Sequence, residues 1–331
     1  MRRRRLLALL GSGALAGCLG DRSPGSPGGT TASPTGTDRT TTDGTPTGDG
    51  TGTTGRSSKS EPLAVRDSRF EGEPCPGFFD DTVCYHSLES GVHETAYVVP
   101  EREVLERPSD STRFTLYNGS DESVGMNPFA WTVAKRLDDG WAYVAPHVVP
   151  QPYTKIRPGQ RFTWQFGIGD ANVEEEEMGS AARVDRLGPG VYAFAHAGAL
   201  VLFEVTGDPL ALEPTDVAAT KRDGDVLTVT TGRAKETDDP ETLVVERTTN
   251  PARPATLVTE QVVQSYALRN GLPYLLSEDV TEVRVETSTS TYAQTVLASA
   301  YRDPTTDADD PPQSRRVYVY EGVAFSATEK R

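Results

Sequence analysis

Residues 208–331 contain no histidine, cysteine, methionine or tryptophan. That excludes Ser-His-Asp and Cys-His nucleophilic mechanisms within this segment. It also removes the usual zinc ligands there. Lysine is scarce along the whole chain: Lys59, Lys135, Lys155, Lys221, Lys235 and Lys330 are all of it, and every other basic residue is arginine. No G-x-S-x-G, S-x-x-K, phosphate-binding P-loop or H-E-x-x-H run occurs, and the one G-x-G-x-x-G match, Gly50 to Gly55, lies in a Thr/Gly-rich tract without the strand and helix a dinucleotide site needs, so no familiar nucleotide, hydrolase or metalloprotease signature is present. Excess positive charge is missing too. The formal net charge is -15, which argues against a nucleic-acid partner, since such partners need a cationic surface.

What the chain has in excess is acid, dispersed along its length. Such a charge self-repels in dilute buffer, but at 1 M salt the screening length is only about 3 Å and the repulsion fades. High acid, little lysine and abundant threonine resemble the proteins of halophilic archaea. The alternative use of the charge is to bind cations or basic partners. The one dense run, Glu174 to Glu177, reads as a solvated loop or helix face in preference to a metal cradle.

The N-terminus reads MRRRRLLALLGSGALAGCLG. Arg2 to Arg5 form a basic head, and Leu6 to Ala16 form an apolar run too short to span a bilayer, which takes about 20 residues. Basic head, short apolar run and small residues together read as an export signal over 1–17, and the adjacent arginines allow a twin-arginine type. Leu15-Ala16-Gly17-Cys18 resembles the lipobox of prokaryotic lipoproteins, which implies a lipid on the Cys18 thiol and cleavage just before it. Two acyl chains on one cysteine would hold stably where one holds marginally. Cleavage would also remove four arginines and leave the mature chain near about -19. From 18 to 60 the chain is almost all Thr, Gly, Ser, Pro and Asp, with too little apolar surface to offset ordering. It is expected to be a disordered, lipid-anchored stalk, of a composition that also suits O-glycosylation. Its reach is about 35–40 Å as a flexible coil and about 120 Å if stiffened.

Residues 61–207 carry a β pattern. RFTWQFGI alternates Phe162, Trp164 and Phe166 with Arg161, Thr163 and Gln165. STRFTLYN and NPFAWTVAKR behave alike, and GVYAFAHA with ALVLFEVT predicts a hairpin around Gly198. Turn signals at Asn118-Gly119, Asp138-Asp139-Gly140, Arg157-Pro158-Gly159 and Gly188-Pro189-Gly190 separate the strands. Short strands at this spacing suggest a β-sandwich. LGPGVY, ending on Tyr192, resembles the tyrosine corner of Ig-like domains, which implies a tyrosine hydroxyl tied to nearby backbone, with Trp131 at the core position. More broadly, FTLYNGSDESV, the tryptophans, PGQRFTWQF and LGPGVYAF resemble exported haloarchaeal lipoproteins with a bacterial-type Ig-like domain. That resemblance implies fold and says little of activity.

Cys75 and Cys84 lie nine positions apart, and in an exported chain they favour a disulfide. The rival is a metal site of Cys75, Cys84, His86 and His93, whose spacing lacks the tight pairs of structural zinc. A copper site would want a nearby methionine, and Met126 and Met178 are distant in sequence. His147 and His196 read as structural. Asn118-Gly119-Ser120 is both a glycosylation sequon at Asn118 and a good β-turn.

In 208–331, DVLTVTT, ETLVVERT, VTEVRVETS, YAQTVLASAY and RRVYVYEGVAFSA read as strands, and TLVTEQVVQSYALRNG as a helix. Thr256 can cap its start, and Asn270-Gly271 with Pro273 its end. The expected module is α+β, an antiparallel sheet of about five strands with one helix across it.

These features point to a non-catalytic cell-surface lipoprotein that presents an Ig-like binding or scaffolding module on a stalk. No cofactor or metal is expected. The expected partners are the membrane, through the lipid anchor, and other envelope proteins or glycans. An extracellular hydrolase built on a carboxylate pair is the first alternative, and the substrate-binding lipoprotein of a transporter is the second. The last normally needs more helix than this chain promises.

Overall fold

Alternating side chains build the strand Arg161–Ile168, which lies near the middle of a computed structural model that describes residues 61–79, 81–106, 109–249, 254–289, 291–300 and 316–330. The expected signal segment, Cys18 and the stalk lie outside the described residues. Within them the protein is mainly β, with several mixed sheets and few helices. No helix of the described residues is long and apolar enough to cross a membrane.

Two sheets share the first core. One runs in the order Ala181–Val184, Arg161–Ile168, Ser111–Asn118, Ala96–Pro100. The other runs Val83–Cys84, Ala199–Thr206, Gly190–His196, Thr132–Leu137, Gly140–Ala145, and Val104–Glu106 also pairs with Ala199–Thr206. The hairpin around Gly198 forms, pairing Gly190 with Val205 at one end and His196 with Ala199 at the other. Inward-facing aromatics join the sheets: Phe114 stacks on Phe194 with ring centroids 4.4 Å apart, Trp164 meets Phe194 at 5.5 Å and Phe166 meets Phe203 at 5.5 Å. Each such ring adds its apolar burial and roughly 0.5–1.5 kcal/mol of pairing.

The second of these sheets is apolar on both faces, which explains the continuous apolar run ALVLF within ALVLFEVT. Val201, Phe203 and Val205 point into the shared core, while Leu200 and Leu202 join Ala134, Ala193 and Ala195 beneath Phe70, Phe78 and Cys84. The disulfide Cys75–Cys84, with Cα atoms 5.8 Å apart, closes the segment that covers this outer face. A loop that short contributes roughly 2.5–3 kcal/mol in the chain-entropy account.

The C-terminal part has a different core. Seven strands form one sheet, in the order Val217–Asp223, Val226–Thr231, Glu282–Thr287, Glu241–Arg247, Val323–Lys330, Tyr318–Tyr320, Ala255–Thr256. Helices α1 (Thr259–Gln264), α2 (Tyr266–Leu275) and α3 (Thr291–Ser299) share its core, with Val262, Leu268, Leu272, Val296 and Leu297 among Leu243, Val245, Val283 and Val285.

Four expectations are corrected here. The sheet is mixed: Glu282–Thr287 inserts between Val226–Thr231 and Glu241–Arg247, parallel to the first and antiparallel to the second. The single helix expected over TLVTEQVVQSYALRNG divides at Ser265, whose hydroxyl caps α2 by accepting from Leu268 N–H. A third helix replaces the strand expected over YAQTVLASAY, because Ala293, Val296 and Leu297 are buried at spacings of three and four. RRVYVYEGVAFSA makes two strands, since Glu321 (φ 47°) and Gly322 (φ 78°) form a tight turn with both residues in the left-handed region.

Asn270-Gly271 does not end the helix. Asn270 is fully buried and its Oδ1 accepts from Thr215 and Asp216 N–H, both at 2.8 Å. Gly271 lies where a Cβ would collide with Val285 Cγ2 on the strand below. Helix propensity alone would make Gly271→Ala stabilising by about 1 kcal/mol. The contact with Val285 reverses the sign, and a net loss of about 1–3 kcal/mol from overpacking is expected in urea denaturation.

Candidate functional site

The residues singled out from sequence are scattered. Cys18 lies outside the described residues. The thiols of Cys75 and Cys84 are joined to one another, which takes both from the metal set that would use His86 and His93. His93 Nε2 is 2.7 Å from Glu89 O, and its ring meets Tyr97 edge-on at 5.8 Å. Among the described residues, no three His, Cys, Asp or Glu side chains converge as metal ligands would. In the Glu174–Glu177 run, Glu175 accepts from Gly179 N–H at 2.7 Å and Glu176 from Gln165 Nε2 at 2.7 Å, so these carboxylates shape a loop.

Asn118 is fully buried. Its Nδ2 donates to Glu122 O (2.7 Å) and Ile156 O (3.0 Å), and its Oδ1 accepts from Ser120 N–H and Oγ–H. Every polar atom of the side chain serves the turn, and a sugar would need the same nitrogen. His196 is buried beneath Trp164, with ring centroids 4.9 Å apart. Its Nδ1 faces Ala130 O at 3.1 Å, and burial pushes its pKa down to about 4.

The densest polar arrangement joins the two cores, and none of its key carboxylates was nominated from sequence. Glu260, in the first turn of α1, is 2% exposed. Its Oε1 receives Lys135 Nζ at 2.7 Å, Gly188 N–H at 3.0 Å and lies 3.1 Å from Tyr192 Oη. Tyr192 Oη also lies 2.8 Å from Gly188 O, so its one proton faces two acceptors. A Cβ at Gly188 would collide with Glu260 Oε1, so any other residue there would push that carboxylate out of its place. The neighbouring turn of α1 extends the seam. Gln261 Nε2 donates to Tyr143 O at 2.8 Å while its Oε1 accepts from Val258 N–H at 3.0 Å. Gln264 Oε1 accepts from Asp185 N–H, and its Nε2 donates to Arg186 O, both at 3.2 Å. Glu260, Gln261 and Gln264 form a polar helix face that in sequence is indistinguishable from a solvated one.

Clefts open on either side of this seam. One, of about 370 Å³, is lined by Lys135, Gly188, Thr259, Glu260 and Tyr320. There Tyr320 Oη lies 3.1 Å from Thr259 Oγ1, and burial pushes its pKa up to about 12, so at neutral pH the phenol keeps its proton and offers a donor, not a base. The other, of about 490 Å³, is lined by Ser109, Asp170, Asp185, Arg186 and Arg269 among others.

No family model and no curated protein matches the chain. Among solved structures, the alkylpurine DNA glycosylase AlkC of Pseudomonas fluorescens aligns at 8% identity and TM-score 0.20, over 35% of this chain and 32% of that one. A β-glucosidase of Listeria innocua aligns at 13% identity and TM-score 0.19, over 37% of this chain and 17% of that one. Both alignments are partial, and the chain spans well under two thirds of either protein's length.

Two outcomes are expected. Glu260→Ala strands the half-buried Lys135 ammonium and the Gly188 amide, and should lower stability by about 1–3 kcal/mol in chemical denaturation, while Glu260→Gln, which keeps an acceptor, should lose less. Unfolded His196 binds a proton more readily than the folded residue. Its contribution is therefore full above about pH 6.5 and falls away as the pH drops toward about 4. The loss reaches on the order of 3 kcal/mol, and His196→Phe should flatten that part of the stability–pH curve.

Proposed function

We propose that this chain is a non-catalytic lipoprotein held at the outer face of the cell membrane by Cys18, with a stalk over residues 18–60 and a folded binding body beyond it. The observation that carries the reading is Leu15-Ala16-Gly17-Cys18 behind a basic, short apolar leader. The Cys75–Cys84 disulfide supports an oxidising compartment. Two facing sheets with an aromatic core, and Tyr192 Oη beside Gly188 O four residues upstream, support an Ig-like sandwich as the first module. The net charge of -15 suits a concentrated salt medium, where only short-range contacts keep their strength. Its partners in this reading are other envelope proteins or glycans, met by loops and clefts on a rigid frame.

The direct test is the N-terminus of the mature protein. Mass spectrometry of membrane-extracted material should find residue 18 as the first residue, carrying lipid. Cys18→Ser should abolish that modification and move the protein out of the membrane fraction. An unmodified Cys18 in soluble material would end the reading.

A further inference from the structure

Several arginines of this protein are neutralised by a neighbour. Arg69, Arg102, Arg136, Arg222 and Arg284 each meet a carboxylate within 3 Å, and Arg247 caps the carbonyls of Leu275, Ser277 and Val280. Arg186, Arg233 and Arg269, like Arg66, Arg157, Arg161 and Arg183, are not neutralised in this way. None forms an ion pair among the described residues, although the chain has 48 acidic residues against 33 lysines and arginines.

Arg186, Arg233 and Arg269 gather at one place. Arg186 and Arg269 line the 490 Å³ cleft, and Arg269 and Arg233 line an adjoining one of about 260 Å³. Arg269 stands on α2, and its Nε is sealed from solvent with no hydrogen-bond partner among the described residues. Burial lowers its pKa. The Arg186 charge does the same, Asp185 acts against it, and Arg233 adds a further depression. Arg233 is stacked 3.9 Å over the Tyr266 ring, whose hydroxyl is bonded to Asp216. An unpaired buried donor and crowded like charges both disfavour the empty site, and a bound oxyanion would relieve both.

We propose that this cleft binds an acidic, hydroxyl-rich molecule about the size of one sugar unit. Its carboxylate, sulfate or phosphate group would lie against Arg186 and Arg269, with Arg233 adding positive charge. Guanidinium groups match such oxyanions through paired hydrogen bonds. A space of 490 Å³ falls within the range of small-molecule sites and far exceeds a bare inorganic ion. Ser109, Asp170 and Asp185 line the same cleft and suit hydroxyl groups, since carboxylates accept from them. Short contact hydrogen bonds persist in molar salt, where long-range attraction of an anion would vanish. The proposal names the ligand class for the binding body described above but does not depend on the lipid tether. Failure to bind would leave Cys18 untouched, and an unmodified Cys18 would leave the cleft untouched.

The test is calorimetric titration of the full-length chain in 1 M sodium chloride with glucuronate, glucose 6-sulfate, glucose 6-phosphate, glucose and inorganic sulfate. At least one acidic sugar should bind, and glucose and inorganic sulfate should bind far more weakly. Which acidic sugar binds best identifies the oxyanion. Arg186→Ala and Arg269→Gln should each weaken binding by about tenfold or more, and Arg113→Ala, in an exposed pair elsewhere, should not change it. Only the backbone carbonyl of Arg186 serves the seam, so Arg186→Ala decides the matter even if Arg269→Gln fails to fold. No binding of any acidic sugar, equal binding of glucose or inorganic sulfate, or binding indifferent to Arg186→Ala would overturn the proposal.

Discussion

Glu260 is a carboxylate almost wholly removed from water, and the joint between the two cores turns on its Oε1. Removing a carboxylate from water costs several kcal/mol, and only close, well-directed donors offset that. Lys135 Nζ, Gly188 N–H and the nearby Tyr192 hydroxyl provide them. The three come from the first core and the acceptor from the second, so neither part satisfies the arrangement alone. At contact distance this electrostatics survives salt that cancels the repulsion among the surface acids.

The rest of the first module holds those donors in place. The stacked aromatics Phe114, Phe194, Phe203 and Tyr192 fix the strand Gly190–His196, and that strand pairs with Thr132–Leu137 so that Tyr192 lies opposite Lys135. The Gly188-Pro189-Gly190 turn then brings a backbone amide within reach of α1. On the other side, Gly271 and Asn270 seat α2 on the sheet and on the connection before it, which sets the direction of α1 and the position of Arg269. The clefts flanking the seam follow from this geometry, and so does the gathering of arginines in a chain otherwise dominated by acid.

Some of this was legible in the sequence. RFTWQFGI and ALVLFEVT announced strands because an alternating or continuous apolar pattern leaves few other solutions. Cys75 and Cys84 announced a bridge by context. Other segments misled for physical reasons. YAQTVLASAY has β-branched and aromatic residues at both spacings, and packing decided for the helix. Asn270-Gly271 has the chemistry of a helix end, yet here it serves close approach to Val285 and a buried link to Thr215 and Asp216. Glu260, Gln261 and Gln264 could not be distinguished from a solvated face, because burial by a distant part of the chain leaves no local mark. The convergence of Arg186, Arg233 and Arg269 is invisible for the same reason.

If the Glu260 joint makes one cooperative body, the two cores must unfold together. Nature has placed separate reporters in them. All three tryptophans, Trp131, Trp141 and Trp164, belong to the first, and the α-helices of the described residues, over 259–299, belong to the second. Guanidinium denaturation followed in parallel by tryptophan fluorescence and by circular dichroism at the helix band should give one midpoint and one slope. Two separated transitions would show that the joint does not couple the cores, and would contradict the account.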